Sequence, residues 1–353
     1  MFRRLELSNF RSYPTAQVEL SPSVTIISGP NGSGKTNILE SLYVLARGSS
    51  FRATDSEMLQ FGAPWWRLYA QTVDGERTIG FDNQRALGKK QVTVNGTKKQ
   101  RLVPSQKIPL VLFEPNDLRL LDGSPSRRRE FIDRLIAQLD PHYSTQLHKY
   151  ERALKQRNNL LKQSEAGDDE LFVWDMLLAD LGAAIIASRE KYIQRIQAEL
   201  TTTYRAIAQN SDEVAISYSE PTQSDMKQRL LDDLHRNHVR DRLYGFTSVG
   251  PHRHDVLFRF NAVPAMSIAS RGETRSIVLA LKLIEISLVR ELLHTPPLLL
   301  MDDVFSELDS ARRRALVSVG RDIQTVITTT DADISQEFGR GVAHITLPFS
   351  SQK

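Results

Sequence analysis

Apolar and polar residues alternate differently in three stretches of the chain. In the first, Arg3 to Leu7 alternates as an edge strand does. After the loop Asn9-Phe10-Arg11-Ser12-Tyr13, Ala16 to Leu20 forms a second strand, and Val24-Thr25-Ile26-Ile27 is a β-branched run suited to burial in a sheet. Ile38, Leu39, Leu42, Tyr43 and Leu45-Ala46 then recur at helical spacing. Leu68 to Val73, Thr78 to Phe81 and Val92 to Val94, closed by the hairpin pair Asn95-Gly96, predict an antiparallel subdomain over about residues 65–103. Pro109 to Phe113 is a further buried strand, closed by Glu114-Pro115-Asn116-Asp117.

The second stretch is helical. Ser124 caps and Pro125 opens a helix whose apolar positions are Phe131, Ile132, Leu135, Ile136 and Leu139. Two more helices are predicted, from about Tyr143 to Gln163 and from about Leu171 to Gln209, with a break near Gly167. The third stretch returns to mixed character: a strand Val256 to Phe260, a long helix from Thr274 to about Leu293, the break Pro296-Pro297, and strands Leu298 to Met301, Thr325 to Asp331 and Val342 to Leu347. Strands and helices mixed at both ends of the chain predict an α/β fold. The predicted head combines residues 1–115 with 245–353, and a helical arm over 116–244 interrupts it.

The connections carry the chemistry. Gly29-Pro30-Asn31-Gly32-Ser33-Gly34-Lys35-Thr36 fits G-x-x-x-x-G-K-[ST] between a strand and a helix, where backbone N–H groups converge on phosphate oxygens. Lys35 then reaches the β- and γ-phosphates, and the Thr36 hydroxyl holds Mg²⁺. The apolar strand ending in Asp302-Asp303 supplies the expected acidic partner, with Asp302 for the metal and Asp303 to orient or deprotonate water. Arg11 lies in sequence just ahead of the phosphate loop, as either a phosphate contact or a solvated surface arginine. Ser270-Arg271-Gly272-Glu273, before the long helix, is a second possible anion site and a weak signal alone. His252, His254 and Asp255 lack a third clear ligand at zinc-like spacing, which favours a structural turn.

Composition narrows the class. The 353 residues carry a formal net charge of +4 and include no cysteine. Disulfides, thiolate zinc sites and thiol chemistry are thereby excluded. The mild basicity permits nucleic-acid binding without requiring it. Two basic clusters are candidates for a phosphate backbone. One is Lys89, Lys90, Lys98, Lys99 and Arg101 around the hairpin. The other is a helical face carrying Arg127, Arg128, Arg129, Arg134, Lys149, Arg152, Lys155, Arg157 and Lys162. No apolar run reaches membrane-spanning length and the first residues lack the apolar core of a secretion signal, so a cytoplasmic protein without membrane contact is expected.

A divided head, Ser-x-Gly before a long helix and Ser306-Glu307-Leu308-Asp309 after the acids resemble the ABC-type ATPase heads of the SMC class. Asn9-Phe10-Arg11-Ser12-Tyr13, the Pro115–Ser126 segment, Leu154-Lys155-Gln156-Arg157-Asn158, Gly250-Pro251-His252-Arg253 and Asp302 to Asp309 together resemble the RecF family of bacterial DNA replication and repair proteins. That resemblance implies an ABC-type P-loop head with an antiparallel β-subdomain and an inserted helical arm, using ATP and Mg²⁺. It also implies a head-to-tail homodimer formed on ATP. Ser270 and Gly272 of the signature segment would face the γ-phosphate held by Lys35 of the other copy, with Asp309 at the same seam. Arg11 gains weight as a nucleotide contact. Function follows by the same implication: weak, DNA-dependent ATP hydrolysis and binding of duplex DNA at gaps and junctions. The protein would act with RecR and RecO to promote RecA loading, in support of stalled forks and the SOS response. Another SMC-like ATPase of chromosome maintenance is the alternative, although its long heptad insert is absent. Three positions depart from the pattern. Glu273 stands where many relatives carry glutamine, Thr329, Thr330 or Asp331 occupies the region of the switch histidine, and Gln71 matches the Mg²⁺-sensing glutamine by type only.

Overall fold

The computed structural model describes residues 1–84, 89–163, 167–220, 222, 224–331, 334–338 and 341–348. By packing, residues 1–117 and 285–353 form one unit and residues 118–284 another.

The first unit begins with β1 (Phe2–Phe10), β2 (Tyr13–Glu19), β3 (Val24–Ser28) and α1 (Lys35–Arg47). It continues with β4 (Trp65–Thr72), β5 (Gly75–Asp82), β6 (Lys89–Val94), β7 (Thr97–Lys99) and β8 (Leu110–Phe113). An antiparallel sheet runs β2-β1-β4-β5-β6-β7. Alternation sets its faces: Leu5 and Leu7 are buried, whereas Arg4, Glu6 and Ser8 line the open side with Arg67, Tyr69 and Gln71. At the β6–β7 hairpin Asn95 and Gly96 both take positive φ (48° and 75°), the backbone a two-residue turn needs.

The second unit holds α2 (Pro125–Leu139), α3 (Pro141–Leu161), α4 (Asp168–Ala208), β9 (Val214–Tyr218), α5 (Met226–Arg236), α6 (His238–Tyr244), β10 (Val256–Phe260), β11 (Val263–Pro264) and α7 (Ala265–Ile268). α8 (Arg271–Leu293) contains the second division of the chain. Residues 245–284, assigned to the head from sequence, therefore group with the helices. The cause is strand pairing: β10 joins β9 and β11 in a small antiparallel sheet of order β11-β10-β9.

Two residues assigned to the basic face are internal. Arg157 is fully buried, with Nε 2.5 Å from Asp175 and Nη1 2.7 Å from Asp241 and 2.9 Å from Thr247 Oγ1. Arg128 is also buried, and its Nε and Nη2 donate to the two Asp255 oxygens. Each lies on the apolar stripe of its helix, with Tyr150, Ala153 and Leu161 in one case and Phe131, Ile132 and Leu135 in the other. Lys149, Arg152, Lys155 and Lys162 remain exposed. His252 and His254 are pushed down to about 4, chiefly by burial, and their Nδ1 atoms pair with the Tyr150 and Tyr218 hydroxyls. By length and hydropathy the α4 stretch Asp169–Ala208 could cross a membrane, contrary to the expectation that no run is long enough. Its Leu171, Leu178, Ile185 and Ile186 are buried within the unit, while Phe172, Val173 and Met176 face solvent.

The chain returns to the first unit with β12 (Leu298–Asp302), α9 (Ser310–Gly320), β13 (Thr325–Thr329), α10 (Ser335–Phe338) and β14 (Ala343–Thr346). The parallel sheet runs β14-β3-β13-β12-β8. All five residues of β3 and of β13 are buried, as expected of central parallel strands. α1 contacts strands of both sheets. The buried Gln324 side chain accepts from the Phe2 amide at 2.8 Å and donates to the Phe2 carbonyl at 2.6 Å and the Ser21 carbonyl at 2.9 Å. One amide thus joins the first strand to the approach of β13.

Candidate functional site

Register brings the sequence motifs to one edge of the parallel sheet. Ser28 on β3 pairs with Thr329 on β13, and Thr328 pairs with Asp302 on β12, so three strands end together. β8 aligns Phe113 with Met301, which places the turn beginning at Glu114 at the same edge.

The phosphate loop leaves β3 there. Gly32 and Gly34 adopt φ of 80° and 96°, and Gly34 caps α1 with no side-chain hydrogen bond. The first-turn amides of α1 are therefore not claimed by a capping side chain, and the helix dipole adds positive potential. A Cβ at Gly34 would lie 2.5 Å from the Tyr13 hydroxyl, whereas one at Gly32 would meet nothing within 4 Å. Tyr13 is pushed up to about 12 by burial, so it stays a neutral donor, 3.3 Å from the Ser33 carbonyl.

Lys35 is 6% exposed, and its Nζ donates to the Gly29 carbonyl at 2.7 Å and the Pro30 carbonyl at 3.0 Å. Thr36 Oγ1 lies 2.9 and 3.1 Å from the two Asp302 oxygens, and Thr328 Oγ1 donates to Asp302 Oδ1 at 2.7 Å. Asp303 takes φ 50°, held there by its amide's bonds to the Thr328 carbonyl and hydroxyl at 3.0 and 3.1 Å. Burial raises its carboxyl above the usual range, opposed by Lys35 and by the Thr330 amide. Among the described residues, five buried side-chain polar atoms lack a hydrogen-bond partner, and two of them, Ser33 Oγ and Asp303 Oδ1, belong to this edge. Unsatisfied buried groups are costly, so their concentration here points to a bound ligand. A hydroxyl beside a carboxylate is also a hard-oxygen set that suits Mg²⁺.

Arg11 is not a free cation. Its Nε and Nη2 grip the two oxygens of fully buried Glu40 at 2.8 Å each, and Nη1 donates to the Glu57 carbonyl at 2.7 Å. Glu40 also accepts from Arg52 Nη2 at 2.9 Å and Ser50 Oγ at 2.6 Å. Arg52 reaches Asn37 Oδ1, and Asn37 Nδ2 reaches Ser12 Oγ, tying this cluster to the first turn of α1.

The signature segment, in the other unit, is an N-terminal cap. The Ser270 amide donates to Glu273 Oε2 at 2.6 Å, and the Glu273 amide to Ser270 Oγ at 3.3 Å. This is a capping box, satisfied by glutamate as well as by glutamine. Ser270 is exposed and Gly272 lies in the first turn of α8. Asp309 caps α9, accepting from the Arg312 amide at 3.0 Å and pairing with the Arg312 guanidinium. Gln71 is not brought to the phosphate loop; it lines a polar cavity of about 310 Å³ on the open sheet face.

Sequence reasoning missed Thr328 and Glu40. The signal for Thr328 was a run of threonines ending a buried strand. The signal for Glu40 was one acid within the apolar stretch of a helix.

Comparisons with known proteins bear on the family and the fold. Residues 1–107 match the family model described as RecF/RecN/SMC N terminal domain. The chain is 38% identical over 340 residues to the DNA replication and repair protein RecF of Streptococcus uberis, covering 94% of this chain and 93% of that one. Its fold superposes with a TM-score of 0.85 and 30% identity on a structure described as the recombination mediator protein RecF-ATPrS in the RecFOR pathway, covering 94% and 93% of the two chains. The corresponding RecF-ATP structure gives a TM-score of 0.83 at 30% identity, covering 94% and 92%.

Proposed function

Because the chain belongs to the RecF family of DNA replication and repair proteins, with the ABC-type ATPase head of that family, we propose that it is an ATP-gated clamp on DNA. The observation that carries the proposal is the convergence of Lys35, Thr36, Asp302 and Asp303 at one sheet edge, where two buried polar atoms are left without partners.

The roles assigned to the residues are these. The loop amides and Lys35 Nζ, released from the Gly29 and Pro30 carbonyls, bind the phosphates of ATP. Thr36 Oγ1 and Asp302 would hold Mg²⁺, which when bound neutralises charge on the β- and γ-phosphates. Asp303 Oδ1, lacking an internal partner, orients the attacking water and accepts its proton. Arg11 acts through Glu40, fixing the wall beside α1. Ser270 and Gly272 of a second copy complete the site, with Asp309 at the seam, so two chains close head to tail around two ATP molecules. Hydrolysis is slow, stimulated by DNA, and reopens the clamp.

The exposed cations Lys149, Arg152 and Lys155 on α3, with Lys162 just past its end, contact duplex phosphates at gaps and junctions. Affinity should then fall steeply with salt. In the pathway named for the solved relatives, RecR and RecO are the partners and RecA loading at gaps is the outcome, serving fork recovery and the damage response.

The test is binding to gapped DNA with ATP, ADP or no nucleotide, for the wild-type chain and for Lys35→Ala. ATP-dependent binding that Lys35→Ala loses is expected. Binding indifferent to nucleotide would leave only a basic scaffold.

A further inference from the structure

The segment from Asp302 to Asp309 joins the acidic end of β12 to α9. One end carries the proposed hydrolytic carboxylate, Asp303, and the other carries Asp309. Val304, Phe305 and Leu308 are buried between them. Within the segment Ser306 Oγ donates to the Asp303 carbonyl at 2.8 Å.

Arg313 lies one turn into α9, and its side chain folds back over the segment, the direction helical side chains favour. Its Nε donates to the Phe305 carbonyl at 3.1 Å and to the Leu308 carbonyl at 3.0 Å. Its Nη1 lies 3.3 Å from Glu337 on α10 and 3.7 Å from Asp331. The Asp331 amide donates to Thr329 Oγ1 at 2.9 Å, and the neighbouring Thr328 accepts the Asp303 amide at its carbonyl and hydroxyl, 3.0 and 3.1 Å away. Phe338 of α10 packs edge-on against Phe305 with ring centroids 5.9 Å apart, which braces the same corner. A path of contacts thus runs from the Asp303 amide through Thr328, Thr329 and Asp331 to Arg313, and from Arg313 to the carbonyl just before Asp309.

We propose that Arg313 is a positioning residue coupling engagement of the Asp309 edge by a second copy of the chain to the placement of Asp303. This rests on the ATP-dimer reading above and adds the element that makes hydrolysis answer to dimer closure. Movement of the Phe305–Asp309 backbone pulls the guanidinium fork, and the fork displaces Asp331 and, through Thr329, the end of β13 whose Thr328 holds the Asp303 amide. A planar guanidinium can hold two carbonyls and a carboxylate at once, whereas an ammonium on a flexible stem has no fixed fork.

The experiment compares wild type, Arg313→Lys and Arg313→Ala in three measurements. These are affinity for a fluorescent ATP analogue at dilute protein, ATP-driven dimerisation by light scattering, and hydrolysis per dimer at saturating protein and ATP. Arg313→Lys keeps the charge facing Asp331 and Glu337 and guards against a fold lost in Arg313→Ala. The expected result is nucleotide affinity within about twofold of wild type and hydrolysis per dimer lower by about tenfold or more, the size of a typical coupling between sites. Wild-type hydrolysis per dimer in Arg313→Lys overturns the proposal. So does a loss of nucleotide affinity parallel to the loss of rate, which would make Arg313 a general structural residue. A wild-type chain that stays monomeric in ATP instead overturns the reading underneath.

Discussion

Replacing Glu40 by glutamine tests whether the wall beside α1 depends on one buried carboxylate. The side chain is fully buried, and its oxygens accept from Arg11 twice, from Arg52 and from Ser50 at 2.6 to 2.9 Å. Glu40→Gln keeps the volume but puts an NH₂ where a guanidinium donates. Removing one partner of a buried ion pair costs about 3–5 kcal/mol. The Arg11 and Arg52 side chains retain 22% and 36% exposure and can turn partly to water, which selects the lower end. A loss of about 3 kcal/mol in a unit of this size lowers the melting temperature by about 6–12 °C. Burial alone would raise the carboxyl, but hydrogen bonds from Arg11, Arg52 and Ser50 more than offset it and hold it below its usual 4.5. A depressed acid stabilises the fold above its unfolded value, and that contribution is lost as pH falls through the folded value. The gap between wild type and Glu40→Gln should therefore be full at neutral pH and narrow below the ordinary glutamate range. Thermal melts across that range read it directly. Equal melting temperatures at neutral pH would refute the reasoning.

Other outcomes follow from the same geometry. Gly34→Ala should cost several kcal/mol, the sum of about 1–2 for positive φ and about 1–3 for overpacking against Tyr13, while Gly32→Ala should carry only the first part. Urea melts of the two variants test the difference, and equal losses would remove Tyr13 from the account. Asp303→Asn should retain ATP binding and accumulate ATP-bound dimers by light scattering; a monomer in saturating ATP would contradict the assigned role. Asp241→Ala removes one of the two carboxylates on buried Arg157 and leaves it Asp175 and Thr247, so it should destabilise the helical unit by about 3 kcal/mol, the lower end for a broken buried pair, measured by chemical denaturation.

Much of the site was legible because its parts are local. A strand, a glycine loop and a helix occupy consecutive residues from Val24, and Asp302-Asp303 ends an unmistakably apolar strand. The links between those parts were not legible. Thr36 meets Asp302 across 266 positions, and which threonine of β13 faces that carboxylate is fixed by parallel register. Arg11 shows the limit of residue type: its place beside the loop was legible, but its buried partner 29 positions on was not. Arg128 and Arg157 could have been separated from the solvated cations, since both lie on apolar stripes; charge alone put them outside. β9, α5 and α6 lie in a stretch read only as part of a helical arm, and β9 is stabilised by its long-range partner β10.

The Gln324 clasp and the strand order of the parallel sheet bear on how the chain is made. The strand carrying the phosphate loop has β13 and β14 as its two neighbours, and both lie about 300 residues downstream. At about 5–20 residues per second of synthesis, β3 waits roughly 15–60 s for its first sheet partner. The helical unit is one uninterrupted segment, 118–284, free to fold while that wait continues. Ribosome-bound chains halted before Thr325 should thus contain a folded arm and no ATP site, with the apolar face of β3 left to chaperones until the last strands emerge.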